Sequence, residues 1–289
     1  MTAFNFEQAF SRNIGWITQD EQAKLRGKKI AIAGLGGVGG SHLLTLTRLG
    51  IGSFHIADFD KFELANFNRQ AGATMSHLNQ PKVDVMADMA RDINPELTIE
   101  KYSDGVTASN LANFFSGVDL YVDSLDFFAF EAREMVFAYC AEHGIPAVTA
   151  APLGMGVALL NFMPSKMTFE QYFQLRGKSR TEKILHFLLG LSPAMLQRGY
   201  LIERGAVDLL NNRGPSTPMA CELCAGVVAT QALKILLDRG KVIAAPTGLH
   251  FDAYRNKLVK TWRPGGNNNP IQKLGILLAK QQFIKMIQE

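Results

Sequence analysis

The sequence predicts an α/β fold: a doubly wound, mostly parallel, Rossmann-like sheet with an antiparallel C-terminal extension. Three observations lead there. A short apolar run at 30–33 enters Gly34-x-Gly36-x-x-Gly39 and then a helix-forming stretch, an arrangement that lets backbone N–H groups approach phosphate oxygens. Apolar runs of strand length and amphipathic stretches then alternate up to about residue 163. Further on, β-type runs at 249–252 and 258–262 flank Arg255-Asn256-Lys257, as in an antiparallel hairpin.

The elements follow in order. Strand 30–33 leads into a helix at 37–49, and strand 54–58 ends on Asp58, 19 residues after Gly39, where a carboxylate suits a ribose hydroxyl. A loop carries Asn66-Phe67-Asn68-Arg69-Gln70. Pro81 stands at the first position of the next helix, with Val83, Met86, Ala87, Ala90 and Ile93 on one face. Strands at 97–102, 120–123 and 147–150 alternate with helices at 109–115 and 130–143. Gly34, Asp58 and Asp123 thereby fall at the carboxyl ends of strands, where such sheets bind ligands.

The second half changes character. After strand 156–162 come two short apolar helices, near 181–189 and 193–202. Helix 218–237 is apolar on nearly every side and carries Ala220, Ala225, Gly226, Ala229 and Ala232, which predicts a buried helix. The run 264–270, rich in Gly, Asn and Pro, reads as a linker. The closing helix places Ile271, Leu274, Leu278 and Ile284 on one face and Lys273, Lys280 and Lys285 elsewhere, a pattern that favours docking on its own domain over a membrane. The expected organisation is one unit at 1–264, with a nucleotide-binding core at 28–163 and a substrate-side insert at 163–217, followed by linker and helix at 265–289.

Composition narrows the function classes. With 289 residues, 47% of them hydrophobic and 19% charged, the chain is an ordinary globular one. A net charge of +4 and the lack of a Lys/Arg block argue against nucleic acid. No secretory leader stands out, and the apolar runs fall short of a membrane span, so a cytoplasmic location is expected. Cys140, Cys221 and Cys224 cannot make a disulfide framework.

The glycine motif and Asp58 fit NAD, FAD or ATP equally. Arg69 and Lys82 tilt the choice, because they supply positive charge where a polyphosphate otherwise meets neutral backbone. Taken singly, each is better explained as solvated surface; together in register they are not.

The order of the glycine motif, Asp58-Phe59-Asp60, Leu64-Ala65-Asn66-Phe67-Asn68-Arg69-Gln70, Gln80-Pro81-Lys82, Ile93-Asn94-Pro95 and Asp123-x-x-Asp126 resembles the ThiF/MoeB/HesA family, bacterial relatives of ubiquitin-activating enzymes. The resemblance covers about 10–163, with weaker echoes in helix 218–237 and strands 249–262; the insert matches nothing recognisable. It implies an adenylyltransferase that uses ATP and Mg²⁺ to turn a carboxylate, usually the C-terminus of a ubiquitin-like or peptide partner, into acyl-AMP. It places Gly34, Gly36, Gly39, Asp58, Asn66, Arg69 and Lys82 at the nucleotide, with Asp58 at the ribose, and Asp126 at Mg²⁺. Arg12 resembles an arginine that reaches the other subunit's ATP across a homodimer. Asp60 reads as a turn residue outside the site.

Two departures stand out. Phe127-Phe128 follows the metal-binding aspartate where relatives often carry Asn. Relatives often hold Zn²⁺ on two Cys-x-x-Cys pairs, whereas Cys221-Glu222-Leu223-Cys224 stands alone and three cysteines cannot close a four-thiolate site, so no structural zinc is expected. Helix packing is the better reading of that pair, and a core role that of Cys140. The six histidines show neither ligand spacing nor a nearby acid. Rival readings are an NAD-dependent oxidoreductase, which leaves Arg69, Lys82 and Asp126 unused, a non-catalytic ATP-binding scaffold, favoured by Phe127, and, within the family, activation of a carboxylate on a modified tRNA base.

Overall fold

The computed structural model describes residues 3–208 and 211–288, with side chains of the closing helix described through residue 281. The chain opens with α1 (Phe6–Ala9) and α2 (Gln19–Arg26), the latter started by a reciprocal Thr18–Glu21 capping box. Strand β1 (Lys29–Ala33) turns into α3 (Gly39–Arg48), followed by β2 (Ser53–Ala57) and α4 (Lys82–Ile93). Pro81 is the N-cap of α4, one residue earlier than its expected place inside the helix. Then come β3 (Thr98–Tyr102), α5 (Leu111–Phe114), β4 (Leu120–Asp123), α6 (Phe130–Glu142), β5 (Ala147–Leu153) and β6 (Gly156–Phe162). The insert folds into α7 (Phe169–Phe173) and α8 (Arg180–Leu191), each started by its own capping box, Thr168–Gln171 and Ser179–Glu182. Helix α9 (Pro218–Leu236), the hairpin β7 (Thr247–Asp252) and β8 (Lys257–Trp262), and α10 (Pro270–Gln288) complete the chain.

The strands form one sheet in the order β3-β2-β1-β4-β5-β6-β7-β8. The first five run parallel; β6, β7 and β8 add on antiparallel. The connection reverses direction between β1 and β4. A cleft opens beyond their carboxyl ends at such a reversal.

Alternation along each strand feeds two cores. Ile30 and Ile32 face the layer of α2, α3, α4 and α9, together with Leu43, Met86 and Val228. Ala31 and Ala33 face the other layer, where small side chains leave room for the aromatic filling of Phe114, Tyr121, Phe137 and Phe173. One sheet therefore carries an aliphatic core on one side and an aromatic core on the other.

Three expectations are corrected. The apolar stretch 193–202 is not an α-helix: Met195 has φ +44° and a 3₁₀ turn (Leu196–Tyr200) follows, because the chain must bend to bring Tyr200 onto Asp252 at 2.6 Å. The 264–270 run is not a loose linker, since Asn267 is buried and donates through Nδ2 to the Phe173 and His186 carbonyls at 2.7 and 3.0 Å. An apolar helix of spanning length does exist: the 19 residues of α9 suffice by length and composition. Its buried side chains Cys221, Cys224, Val228 and Ala232 belong to the aliphatic core. In α10, Ile271, Leu274 and Leu278 are exposed, and the salt bridge Lys280–Glu182 at 3.0 Å ties the helix to α8. Ile284 and Lys285 lie outside the described side chains.

Candidate nucleotide site

The glycine turn is built by close approach. Gly34 has φ +88°, and a Cβ there would collide with the Ser124 carbonyl at the end of β4. A Cβ on Gly39 would collide with the Gly34 carbonyl, so the turn closes on itself before α3 begins. Gly36 differs. A Cβ there would meet only the Gln70 side chain, 3.6 Å away, so the protein's own packing does not demand glycine at this position. The space beside it is open for a ligand to approach the backbone closely. The N-terminus of α3 and its free N–H groups point into the same space.

Asp58 sits just past β2. Its Oδ2 accepts from the Leu35 N–H at 2.6 Å and its Oδ1 from the Asp60 N–H at 2.8 Å, which ties the glycine turn to the second strand. Burial pushes its carboxyl above the usual range, opposed by those two N–H donors. Each oxygen keeps further lone-pair capacity for a ribose hydroxyl.

Lys82, the first residue of α4, is buried, with only 6% of its side chain exposed. Its Nζ lies 3.0 Å from Asp60 Oδ2, while the Asp60 side chain is 52% exposed. Asp60 was set aside as a turn residue, yet it is the partner that allows an ammonium to be buried at the mouth of the cleft. The sequence signal was the second acid of Asp58-Phe59-Asp60, placed just past a strand end. Arg69 stands over the turn, its Nε 3.5 Å from the Cβ position of Gly37, and Nη1 donates to the Ala65 carbonyl and Asn68 Oδ1 at 3.1 and 2.9 Å. Asn66 lies under this loop. Its Oδ1 accepts from the Glu63 N–H at 3.0 Å. Gln70 is buried beside Gly36 and its Oε1 has no partner among the described residues.

The sequence-predicted Gly34, Gly36, Gly39, Asp58, Arg69 and Lys82 thus converge on one cleft. Asp126 lies on the loop after β4, next to the Ser124–Leu125 backbone that crowds Gly34. It is exposed, and its Oδ1 accepts from the Phe128 N–H at 2.9 Å. Among the described residues no cluster of three or more His, Cys, Asp or Glu could enclose a metal. A lone carboxylate still fits Mg²⁺, which is commonly held by one or two carboxylates, phosphate oxygens and water.

Arg12 does not join the cleft. It lies in a 3₁₀ turn (Ser11–Asn13) beside Arg48, Asp92 and Ile93, at the C-terminal ends of α3 and α4. The cleft lies at their N-terminal ends, and ten residues of α3 separate the two by about 15 Å at 1.5 Å per residue.

A second cluster went unread in the sequence. Asp123 at the end of β4 is buried, and its Oδ2 accepts from Arg133 Nε at 3.0 Å and from Thr149 Oγ1 at 2.9 Å. Arg133 reaches on to the loop bearing Asp126, donating through Nη2 to the Leu125 and Asp126 carbonyls at 2.7 and 3.0 Å and through Nη1 to that of Phe127 at 3.3 Å. The signal was its register: Phe130, Arg133, Val136, Phe137 and Cys140 form the buried stripe of α6, and a charge in such a stripe needs a partner.

Phe127 and Phe128 face inward. Phe127 packs on Phe187 of α8 with ring centroids 5.2 Å apart, so the apolar pair anchors this loop to the insert. The insert meets the cleft's other rim too, where Asn68 Nδ2 donates to the Ser216 carbonyl at 3.0 Å. Cys221 and Cys224 are fully buried behind the glycine turn, and burial raises both thiols, outweighing any gain from the start of α9. Cys140 is buried in the opposite, aromatic core and its thiol is likewise raised. One histidine does have an acid at hand: His55 Nε2 lies 3.2 Å from Glu100 on the neighbouring strand. His42, under the turn against Ser124 Oγ at 2.9 Å, is held neutral by burial, which lowers its pKa to about 3.

The ThiF family model matches residues 10–273, and the chain belongs to that family. It is 31% identical over 151 residues to the tRNA threonylcarbamoyladenosine dehydratase of Haemophilus influenzae, 52% of this chain and 57% of that one. It is 30% identical over 148 residues to the sulfur carrier protein ThiS adenylyltransferase of Escherichia coli, 51% of this chain and 58% of that one. The chain spans a little over half the length of these curated relatives. Among solved structures, Escherichia coli MccB with MccA-N7isoASN superposes with a TM-score of 0.69 at 17% identity, over 93% of this chain and 75% of that one. PaaA superposes at 0.67 with 17% identity, over 90% and 74%. At these identities the superpositions establish the fold.

Proposed function

We propose that the chain is an adenylyltransferase that binds ATP with Mg²⁺ and activates the C-terminal carboxylate of a ubiquitin-like or peptide partner, giving acyl-AMP and pyrophosphate. The observation that carries this reading is the convergence of Arg69 and Lys82 on a glycine turn whose Gly36 is left open to a ligand. An NAD-dependent oxidoreductase gives no use for Arg69, Lys82 and Asp126 together.

A carboxylate is ionised at neutral pH and needs no general base. The obstacle is bringing one anion against another, and the remedy is charge neutralisation with in-line placement. The carboxylate oxygen attacks the α-phosphorus, the new O–P bond forms, and the bond to the bridging oxygen breaks so that pyrophosphate leaves. Arg69 and the N-terminus of α3 face the phosphates, and Lys82 turns to them as the half-exposed Asp60 gives it up. Asp58 orients the ribose, and Asn66 with its loop borders the triphosphate. Asp126 would hold Mg²⁺, which when bound would supply positive charge to offset that of the leaving group. Arg12 faces away from its own cleft, which supports a homodimer in which it serves the other subunit's nucleotide. Ser216 and Phe187 bring the insert to both rims of the cleft, where it shapes substrate choice.

The test is to incubate the full chain with ATP, Mg²⁺ and cell extract, and to identify by mass spectrometry what gains AMP while pyrophosphate is released. A polypeptide C-terminus is the expected product. Protection from heat by NAD and not by ATP overturns the reading in favour of an oxidoreductase, and ATP binding without pyrophosphate release favours a scaffold. A second reading, activation of a carboxylate on a tRNA base, is favoured by the identity to the dehydratase. AMP or turnover found only with the tRNA fraction selects it.

A further inference from the structure

We propose that Arg133 is a positioning residue for the loop that carries Asp126, and that Phe187 of the insert sets its orientation. The inference rests on the adenylyltransferase reading for what Asp126 holds, but the clamp itself stands on geometry.

Arg133 spends its guanidinium on one aspartate and three consecutive backbone carbonyls. Nε is fixed by Asp123 at 3.0 Å, and Nη1 and Nη2 together bind the carbonyls of Leu125, Asp126 and Phe127. Arg133 and Asp123 side chains are 3% and 2% exposed, so solvent does not compete for these bonds. A planar fork with five donors can hold the Asp123 carboxylate and three carbonyls at once; an ammonium, with three donors, cannot. The other polar anchors of the loop are Ser124 N–H on the Ala33 carbonyl at 3.1 Å, Leu125 N–H on Asp123 Oδ1 at 3.3 Å, Ala129 N–H on the Asp126 carbonyl at 3.0 Å, and Asp126 Oδ1, which caps Phe128 N–H at 2.9 Å. Asp126 itself is exposed, so the direction of its carboxylate is inherited from the backbone beneath it.

Phe187 lies on the guanidinium, 4.6 Å from ring centroid to Cζ, and touches Phe127 from the same ring. Helix α8 is secured to α6 beside it by Lys183, whose Nζ lies 3.0 Å from Glu134 and 3.5 Å from Glu131. The insert is therefore joined to the Asp126 loop twice through Phe187, directly at Phe127 and by way of Arg133, and a substrate that leans on α8 is felt at the loop. This gives the insert a role in catalytic geometry besides any direct contact with substrate.

The test compares Arg133→Lys with the parent in the full chain, with two readouts that need no turnover. Hydrogen exchange follows the amides of 124–128, and thermal protection by ATP is titrated with Mg²⁺. The lysine keeps the charge opposite Asp123 and loses the carbonyl fork. Expected are loop amides that exchange at least about tenfold faster while those of β1 are unchanged, and a Mg²⁺ midpoint raised about tenfold with ATP binding in EDTA unaltered. Phe187→Leu should shift both readouts the same way by less, and decides the matter by the same criteria if Arg133→Lys does not fold. Loop exchange equal to the parent's overturns the proposal, and so does faster exchange with an unmoved Mg²⁺ midpoint, which marks a purely structural residue. A parent that shows no Mg²⁺-dependent ATP protection overturns the functional reading instead, a result visible before any variant is made.

Discussion

The Lys82–Asp60 and Arg133–Asp123 pairs flank the same cleft and are built in opposite ways. In the first, a buried ammonium meets a carboxylate that is half in water. In the second, both partners are sealed and the guanidinium is engaged with carbonyls as well. An ion pair with one wet partner can be opened at small cost when a second anion takes the buried cation, because water receives the released carboxylate. A sealed pair cannot be opened without leaving a buried charge. The first pair is thus suited to exchange its anion for a phosphate and the second to hold geometry.

The largest effect is expected where chemistry depends on that held geometry. Asp126→Ala should lower turnover on the order of 10³-fold, about 4 kcal/mol, while leaving nucleotide binding in the absence of Mg²⁺ intact, because the metal matters most as charge builds in the transition state. Pyrophosphate release beside ATP-dependent thermal protection measures both; near-parental turnover removes Asp126 from the site.

The comparison itself is sharpened by stability. Arg133→Ala strands Asp123 in the core and should cost about 3–5 kcal/mol. Asp60→Ala removes a carboxylate that is half in water but leaves the buried Lys82 ammonium without it, and should cost less than Arg133→Ala, about 1–3 kcal/mol. Denaturant unfolding of the two variants decides it, and equal losses break the distinction between an exchangeable and a sealed pair.

Arg12 belongs to neither cluster. Mixing Arg12→Ala with Lys82→Ala chains should restore turnover above that of either alone, because a mixed dimer contains one cleft with both residues intact. No recovery after demonstrated subunit exchange removes the trans role.

The smallest effect concerns the thiols. Changing Cys140, Cys221 and Cys224 together to Ser should leave adenylate formation within about tenfold of the parent, about 1.4 kcal/mol, since burial keeps all three protonated. A thiol-sensitive adduct with the partner, formed with ATP and lost on changing Cys221 or Cys224, would make the chain a thioester-forming activator.

What the sequence determined by itself is what depends on local backbone chemistry and on period. Gly34 and Gly39 are dictated by a turn too tight for a Cβ, the alternation of β1 through β5 by strand and helix periods, and Asp58 by its place at a strand end. The nucleotide cluster was legible because its residues are close along the chain. The tertiary structure alone decided the partners. Whether Lys82 is surface or buried depends on Asp60, 22 residues away; the function of Arg133 depends on a strand end, three loop carbonyls and Phe187 from a separate helix. Arg12 shows the same dependence: the resemblance assigns it to the other subunit's nucleotide, and packing puts it at the far end of α3 from its own cleft. A side chain's residue type fixes what bonds it can make, but desolvation and reach decide which it does make, and both are set by elements that the sequence keeps far apart.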